Sequence, residues 1–199
     1  SLVAYWPMED ESGSVRFAAA AGARPMYFAA APEPAAYDGF AASAPLPTFN
    51  GAGATATLGS HTSTNQFTVG ALCYLPATLT DEATLLTVST TGTAQTWTVK
   101  LETGAPGFRV EAFDADGASI ENLTIGPWTV SPIGGSGYLA LAAEATGANI
   151  TWRIRWAAID SNGGVTSQTL TDTVTSATVG RVSSIKLGRG AVPLNADVV

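Results

Sequence analysis

Hydrophobic and polar residues alternate with period two along Asn149–Asp160. Ile150, Trp152, Ile154 and Trp156 fall on one side, and Thr151, Arg153 and Arg155 on the other. Successive side chains of a strand point to opposite faces, so this run predicts a two-faced strand whose indoles need a second layer to cover them. The same alternation predicts strands over Ala54–Leu58, Gln66–Leu75, Thr84–Ser89, Thr96–Glu102, Phe108–Ala115, Ile120–Ile125, Tyr138–Ala145, Val165–Thr173 and Ser184–Leu187. Turn chemistry separates them: Thr91-Gly92, Asp116-Gly117, Gly134-Gly135, Thr146-Gly147 and Asn162-Gly163-Gly164. Ala18–Ala36 has no clear period and is broken by Pro25, Pro32 and Pro34. It reads as an extended connection with short strands around Val15–Phe17 and Met26–Phe28. Many short strands with little helix predict one all-β domain, a two-sheet antiparallel sandwich or jelly roll.

Composition agrees. Charged residues make up 13% of the 199, against roughly 25% in an average domain, and Thr, Ala, Gly and Val fill the difference. Nine basic against sixteen acidic residues give a net charge of −7. That sign argues against nucleic acid as a partner, since phosphate binding needs a basic field. No apolar run reaches the ~20 residues of a membrane-spanning helix, so no membrane insertion is expected. Cys73 is the single cysteine; it excludes an internal disulfide and reads as a small buried strand residue.

Several short motifs occur in order along the chain. Leu2-Val3-Ala4-Tyr5-Trp6-Pro7-Met8-Glu9-Asp10-Glu11-Ser12-Gly13-Ser14 pairs an apolar Tyr-Trp strand with an acidic Gly-Ser turn. Phe49-Asn50-Gly51, Phe67-Thr68-Val69-Gly70-Ala71-Leu72 and Ile185-Lys186-Leu187-Gly188-Arg189 follow. Together they resemble laminin-G-like, concanavalin A-like jelly rolls, and the Ala-rich connection resembles domains of minor tail proteins of actinobacterial phages. The resemblance implies two stacked antiparallel sheets, one concave, in a module that binds sugars or proteins. It also implies an extracellular or virion setting.

Many such domains hold calcium in an Asp-rich loop after the first strand. Here that region is Ala18–Pro25, with no carboxylate or amide side chain. Calcium wants six to eight oxygen ligands, so no metal is expected, and Glu9, Asp10 and Glu11 read as a solvated turn. No cofactor is implied. Glycosidases of this fold carry paired carboxylates on one strand face. Glu111 and Asp114 lie an odd number apart and point to opposite faces, while Asp114 and Asp116 run into a turn. His61 lies in a Ser/Thr-rich loop with no acid or nucleophile nearby in sequence. The chain is read as a non-enzyme.

Binding residues come from the outward positions. With Trp97, Val99 and Leu101 inward, Thr96, Thr98, Lys100 and Glu102 face out; with Phe108, Val110 and Ala112 inward, Arg109, Glu111 and Phe113 face out. Lys100, Arg109, Glu111, Arg153 and Arg155 are therefore expected to share the concave, solvent-accessible face, either as a ladder of surface ion pairs or as a polar groove for a glycan or acidic partner. Trp128, beside Pro127, reads as the freest aromatic, followed by Tyr27, Tyr37 and Phe40.

These residues favour a non-catalytic attachment module of an extracellular or virion assembly, a phage minor tail component touching a host-surface glycan or protein. The alternatives are a structural or homo-oligomerising tail domain packed on other subunits, and a degenerate glycan-processing enzyme. The chain is expected to be a segment of a longer one: after Ile185–Gly188 and a loop over Arg189–Ala196, only Asp197-Val198-Val199 remains for a closing strand beside Leu2–Trp6.

Overall fold

The alternating segments pair into two antiparallel ladders. The structure, a computed structural model, describes residues 16–17, 26–28, 33–35, 46–49, 54–57, 66–75, 83–91, 96–102, 107–113, 119–125, 128–131, 134–175, 181–190 and 194–198. The strands are β1 (Arg16–Phe17), β2 (Met26–Phe28), β3 (Glu33–Ala35), β4 (Leu46–Phe49), β5 (Ala54–Thr57), β6 (Gln66–Leu75), β7 (Ala83–Thr91) and β8 (Thr96–Glu102). They continue as β9 (Gly107–Phe113), β10 (Ser119–Ile125), β11 (Gly135–Thr146), β12 (Asn149–Ile159), β13 (Val165–Thr175), β14 (Arg181–Gly190) and β15 (Leu194–Val198). An eight-stranded sheet runs β1-β2-β5-β14-β7-β8-β9-β10, and a seven-stranded sheet runs β13-β12-β11-β6-β15-β4-β3. Every pair is antiparallel. This is the all-β jelly-roll sandwich of concanavalin A-like type.

The core lies between the sheets. Val88, Val99, Phe108 and Val110 of the eight-stranded sheet are fully buried, as are Leu75, Leu141, Ile150, Trp152, Ile154 and Trp156 of the seven-stranded one. Each indole takes on the order of 200 Å² out of water, worth several kcal/mol at ~25 cal/mol per Å². The organising strand β12 thus buries its apolar face as its alternation requires. Gly137 on β11 makes room for it: a Cβ there would lie 2.5 Å from the Trp156 ring and 2.7 Å from the Ala157 carbonyl oxygen. Cys73 is buried in the core, as expected.

Two hairpin turns carry the chemistry their sequence demands. Gly147, at φ 63°, begins a two-residue link between β11 and β12, the positive φ that primed turns require. Between β12 and β13, Gly163 N–H donates to Asp160 C=O at 3.0 Å and Asp160 N–H donates to Gly164 C=O at 2.9 Å. Gly163 sits at φ 80°. This is a three-residue loop closed by a glycine bulge, with Asp160 Oδ1 also accepting from the Asn162 and Gly164 N–H groups at 2.8 Å.

Two strands, and the start of a third, escape the sequence pattern. β3 and β4 carry Pro34 and Pro47 opposite one another, and β3 is an edge strand, where a missing N–H is tolerated. β15 starts at Leu194 rather than at Asp197, and the expected loop ends correspondingly earlier. It lies between β6 and β4, so both of its edges are met by this chain. Leu2–Trp6, Glu9–Glu11, Tyr37, Phe40, His61, Asp114 and Asp116 lie outside the described residues.

Candidate functional site

One transverse row of register positions crosses all eight strands of the larger sheet. Arg16 lies opposite Tyr27, Tyr27 opposite Thr55, and Thr55 opposite Lys186. Lys186 lies opposite Thr87, Thr87 opposite Thr98, Thr98 opposite Glu111, and Glu111 opposite Asn122. Its stretch from Lys186 through Thr87 and Thr98 to Glu111 belongs to the outer face. Ile185 and Leu187 beside Lys186, Leu86 and Val88 beside Thr87, Val99 beside Thr98, and Val110 beside Glu111 are all buried core residues. At ~4.8 Å per strand such a row extends for about 34 Å.

Its two ends differ. Tyr27 is 55% exposed. At the other end Thr98 and Glu111 are only 8% and 7% exposed although they point away from the core, so they lie low among taller neighbours. A shielded carboxylate needs cations and hydrogen bonds to remain charged. Glu111 has two cations: its Oε2 is 2.6 Å from Lys100 Nζ, and its Oε1 is 2.7 Å from Arg109 Nη2. Lys100 and Arg109 face one another across the strand pair and keep about a fifth of their side-chain surface in water. The cluster has one cation in excess, and Lys186 further along the row adds another. Hydroxyl, ammonium and phenol groups in sequence present both donors and acceptors.

The expected single basic face is not formed. Lys100, Arg109 and Glu111 stand on the eight-stranded sheet, whereas Arg153 and Arg155 stand on β12 of the seven-stranded sheet and point out of the opposite side of the sandwich. Alternation tells inside from outside but not which sheet a strand joins, and that is why the two sets were merged. Arg153 Nη1 pairs with Glu144 Oε2 at 2.9 Å, both more than 40% exposed; such a pair is worth at most ~1 kcal/mol. Arg155 is exposed, with Ala140 and Thr169 as its cross-strand neighbours. Trp128 is not a free aromatic either. It is half-buried and sets its ring edge-on against the core residue Phe108, centroids 5.0 Å apart at 85°.

The row itself was missed. Its signal lies in the hydroxyls that recur at outward positions, Thr87 between Leu86 and Val88 and Thr98 between Trp97 and Val99. Sequence alone cannot supply the register that lines them up. A second smaller feature marks the other outer face: Gly70 on β6 lies beneath the ring of Tyr138, which a Cβ at position 70 would overlap.

No family model matches the chain, and no curated protein matches it. Among solved structures it is similar to a carbohydrate-binding module, CBM66, from Bacillus subtilis, at 10% identity and TM-score 0.42 over 86% of this chain and 91% of that one. It is also similar to the enzymatically active domain of tailspike protein 2 of bacteriophage CBA120, at 11% identity and TM-score 0.46. That match covers 78% of this chain and 25% of the tailspike chain.

Proposed function

We propose that the chain is a non-catalytic binding and attachment module that holds a polyhydroxylated ligand, a surface glycan, along the outer face of its eight-stranded sheet. The observation that carries this reading is the polar row from Tyr27 through Lys186, Thr87 and Thr98 to Glu111. A face built only to be wetted has no need to shelter a carboxylate and a threonine from water; a face built to pair with hydroxyls gains from fixed, pre-oriented donors and acceptors. An extracellular or virion assembly, a phage tail in particular, is the setting that the sequence resemblance favours.

Among the described residues no second carboxylate stands beside Glu111 in the row, which favours binding over hydrolysis in this reading. Glycoside cleavage uses two carboxyl groups about 5–9.5 Å apart. Glu111 is engaged by two cations, and its row neighbours are Thr98 and Asn122. Glu102, the next acidic register position on β8, is four residues beyond Thr98, or about 13 Å along a strand.

Glycan-array profiling of the whole chain tests the proposal. The expected result is retention of one or a few glycans, reduced at least tenfold by Lys186→Glu with an unchanged melting temperature. An array without bound glycan, or equal binding by the variant, would overturn it.

A further inference from the structure

Among the described residues β13 ends the seven-stranded sheet, and no described strand pairs with its outward edge. The hairpin loop fixes which residues form that edge. Because Asp160 N–H bonds to Gly164 C=O, and residues 159–149 pair with residues 165–175 without a register shift, hydrogen-bonded and non-bonded pairs must alternate along the ladder. Even-numbered residues of β13 therefore bond to β12. Val165, Ser167, Thr169 and Thr171 turn their N–H and C=O groups outward. The outward N–H of Thr173 is already taken by Asp172 Oδ1 at 2.7 Å, which closes the edge beyond Thr171. Val165, Ser167, Thr169 and Thr171 are exposed, Val165 at 63%.

Open edges are ordinarily protected by Lys, Pro, bulges or shortness. Over Val165–Thr171 this strand has none of these protections: it is regular, uncharged and free of proline.

We propose that this edge is an interface between two copies of the chain, joined by antiparallel pairing of their Val165–Thr171 runs so that two seven-stranded sheets become one. Charge selects the occupant. An acidic or basic strand would find no complementary charge on Val-Thr-Ser-Gln-Thr-Leu-Thr, whereas a second copy offers another neutral strand rich in Ser and Thr. In any in-phase register it sets Ser, Thr, Val, Gln or Leu opposite, with no like charges meeting. Closing such an edge about a two-fold axis uses β13 of both copies, so this contact does not itself propagate into a fibre. The exposed Val165 gains cover in the same step. This interface does not depend on the glycan-binding reading, because the row lies on the other sheet.

Sedimentation equilibrium of the whole chain tests it, with two variants that leave the inward ladder intact. Thr169→Pro removes one outward N–H, which edge strands tolerate. Ser167→Lys with Thr169→Lys places charges on exposed side chains that repel across a self-pairing. The expected result is a dimer for the native chain and a monomer for the lysine variant with an unchanged melting temperature, with Thr169→Pro giving the same outcome. A native chain that stays monomeric at about 100 µM, enough to populate even a weak dimer, would overturn the proposal. So would a dimer that survives the lysine variant.

Discussion

Trp156 of the seven-stranded sheet meets Phe108 of the eight-stranded sheet across the sandwich, ring centroids 6.0 Å apart and tilted by 48°. Both are fully buried, and Phe108 carries the edge of Trp128 on another side. One aromatic contact thus joins the two layers and the segment around Trp128. Gln168 secures that segment from β13: its Oε1 accepts from Thr129 N–H at 2.7 Å and Val130 N–H at 3.1 Å.

Truncating this contact should be costly, and trimming it cheap. Trp156→Ala is expected to lose ~3–5 kcal/mol. Among the described residues Trp156 Nε1–H has no hydrogen-bond acceptor, and a buried donor without one costs about 1–3 kcal/mol. Trp156→Phe removes that donor while keeping much of the ring, so its net loss should stay below about 2 kcal/mol. Urea melts of both variants decide the matter; equal losses would show that the indole N–H is satisfied.

Two glycines should respond in opposite ways to an added methyl. At Gly137 a Cβ meets the Trp156 ring and the Ala157 carbonyl, and neither can move without disturbing β12. Gly137→Ala is therefore expected to cost about 1–3 kcal/mol or more, as overpacked cores do. At Gly70 the overlapping atoms belong to the end of the Tyr138 side chain, on the outer face. The ring can swing into solvent, and Gly70→Ala should cost less than about 1 kcal/mol. Thermal melts of the two variants, compared directly, test this; similar losses would mean that Tyr138 is held as firmly as Trp156.

Burial pushes the Cys73 thiol from its ordinary 9.0 up to about 12. The folded chain keeps the thiol neutral where the unfolded chain has ionised it. This contribution to stability is full below pH 9 and is lost as pH rises towards 12, by about 1.4 kcal/mol per pH unit in that window. Urea melts at pH 8 and pH 10 should show a larger fall for the native chain than for Cys73→Ala, which lacks the titrating group. The native thiol should also resist a thiol reagent until the chain unfolds. Equal falls, or rapid labelling of the folded chain, would contradict its burial.

Much of the architecture was legible because alternation is a local property. The strands from Gln66 to Leu187 fall close to where the pattern set them, and Trp152 and Trp156 face inward as their spacing requires. β3, β4 and the start of β15 were not legible, since Pro34, Pro47 and Asn195 interrupt any period and only their neighbours hold them straight. The site was legible in part. Lys100, Arg109 and Glu111 were placed outward and together on adjacent strands, and they do meet. Arg153 and Arg155 were assigned to the same face because the sheet to which β12 belongs is decided by long-range pairing. Lys186 joins Thr87 through a register that spans about a hundred residues of chain, which no local pattern encodes.

The most direct test of the account is a map of amide chemical-shift changes in the labelled chain on adding a glycan that it retains. The largest changes are expected at Lys186, Thr87, Thr98 and Glu111, with smaller ones along β7, β8 and β14 and little change on β11–β13. A footprint confined to the seven-stranded sheet around Tyr138 and Arg155, or to the loops, would contradict it.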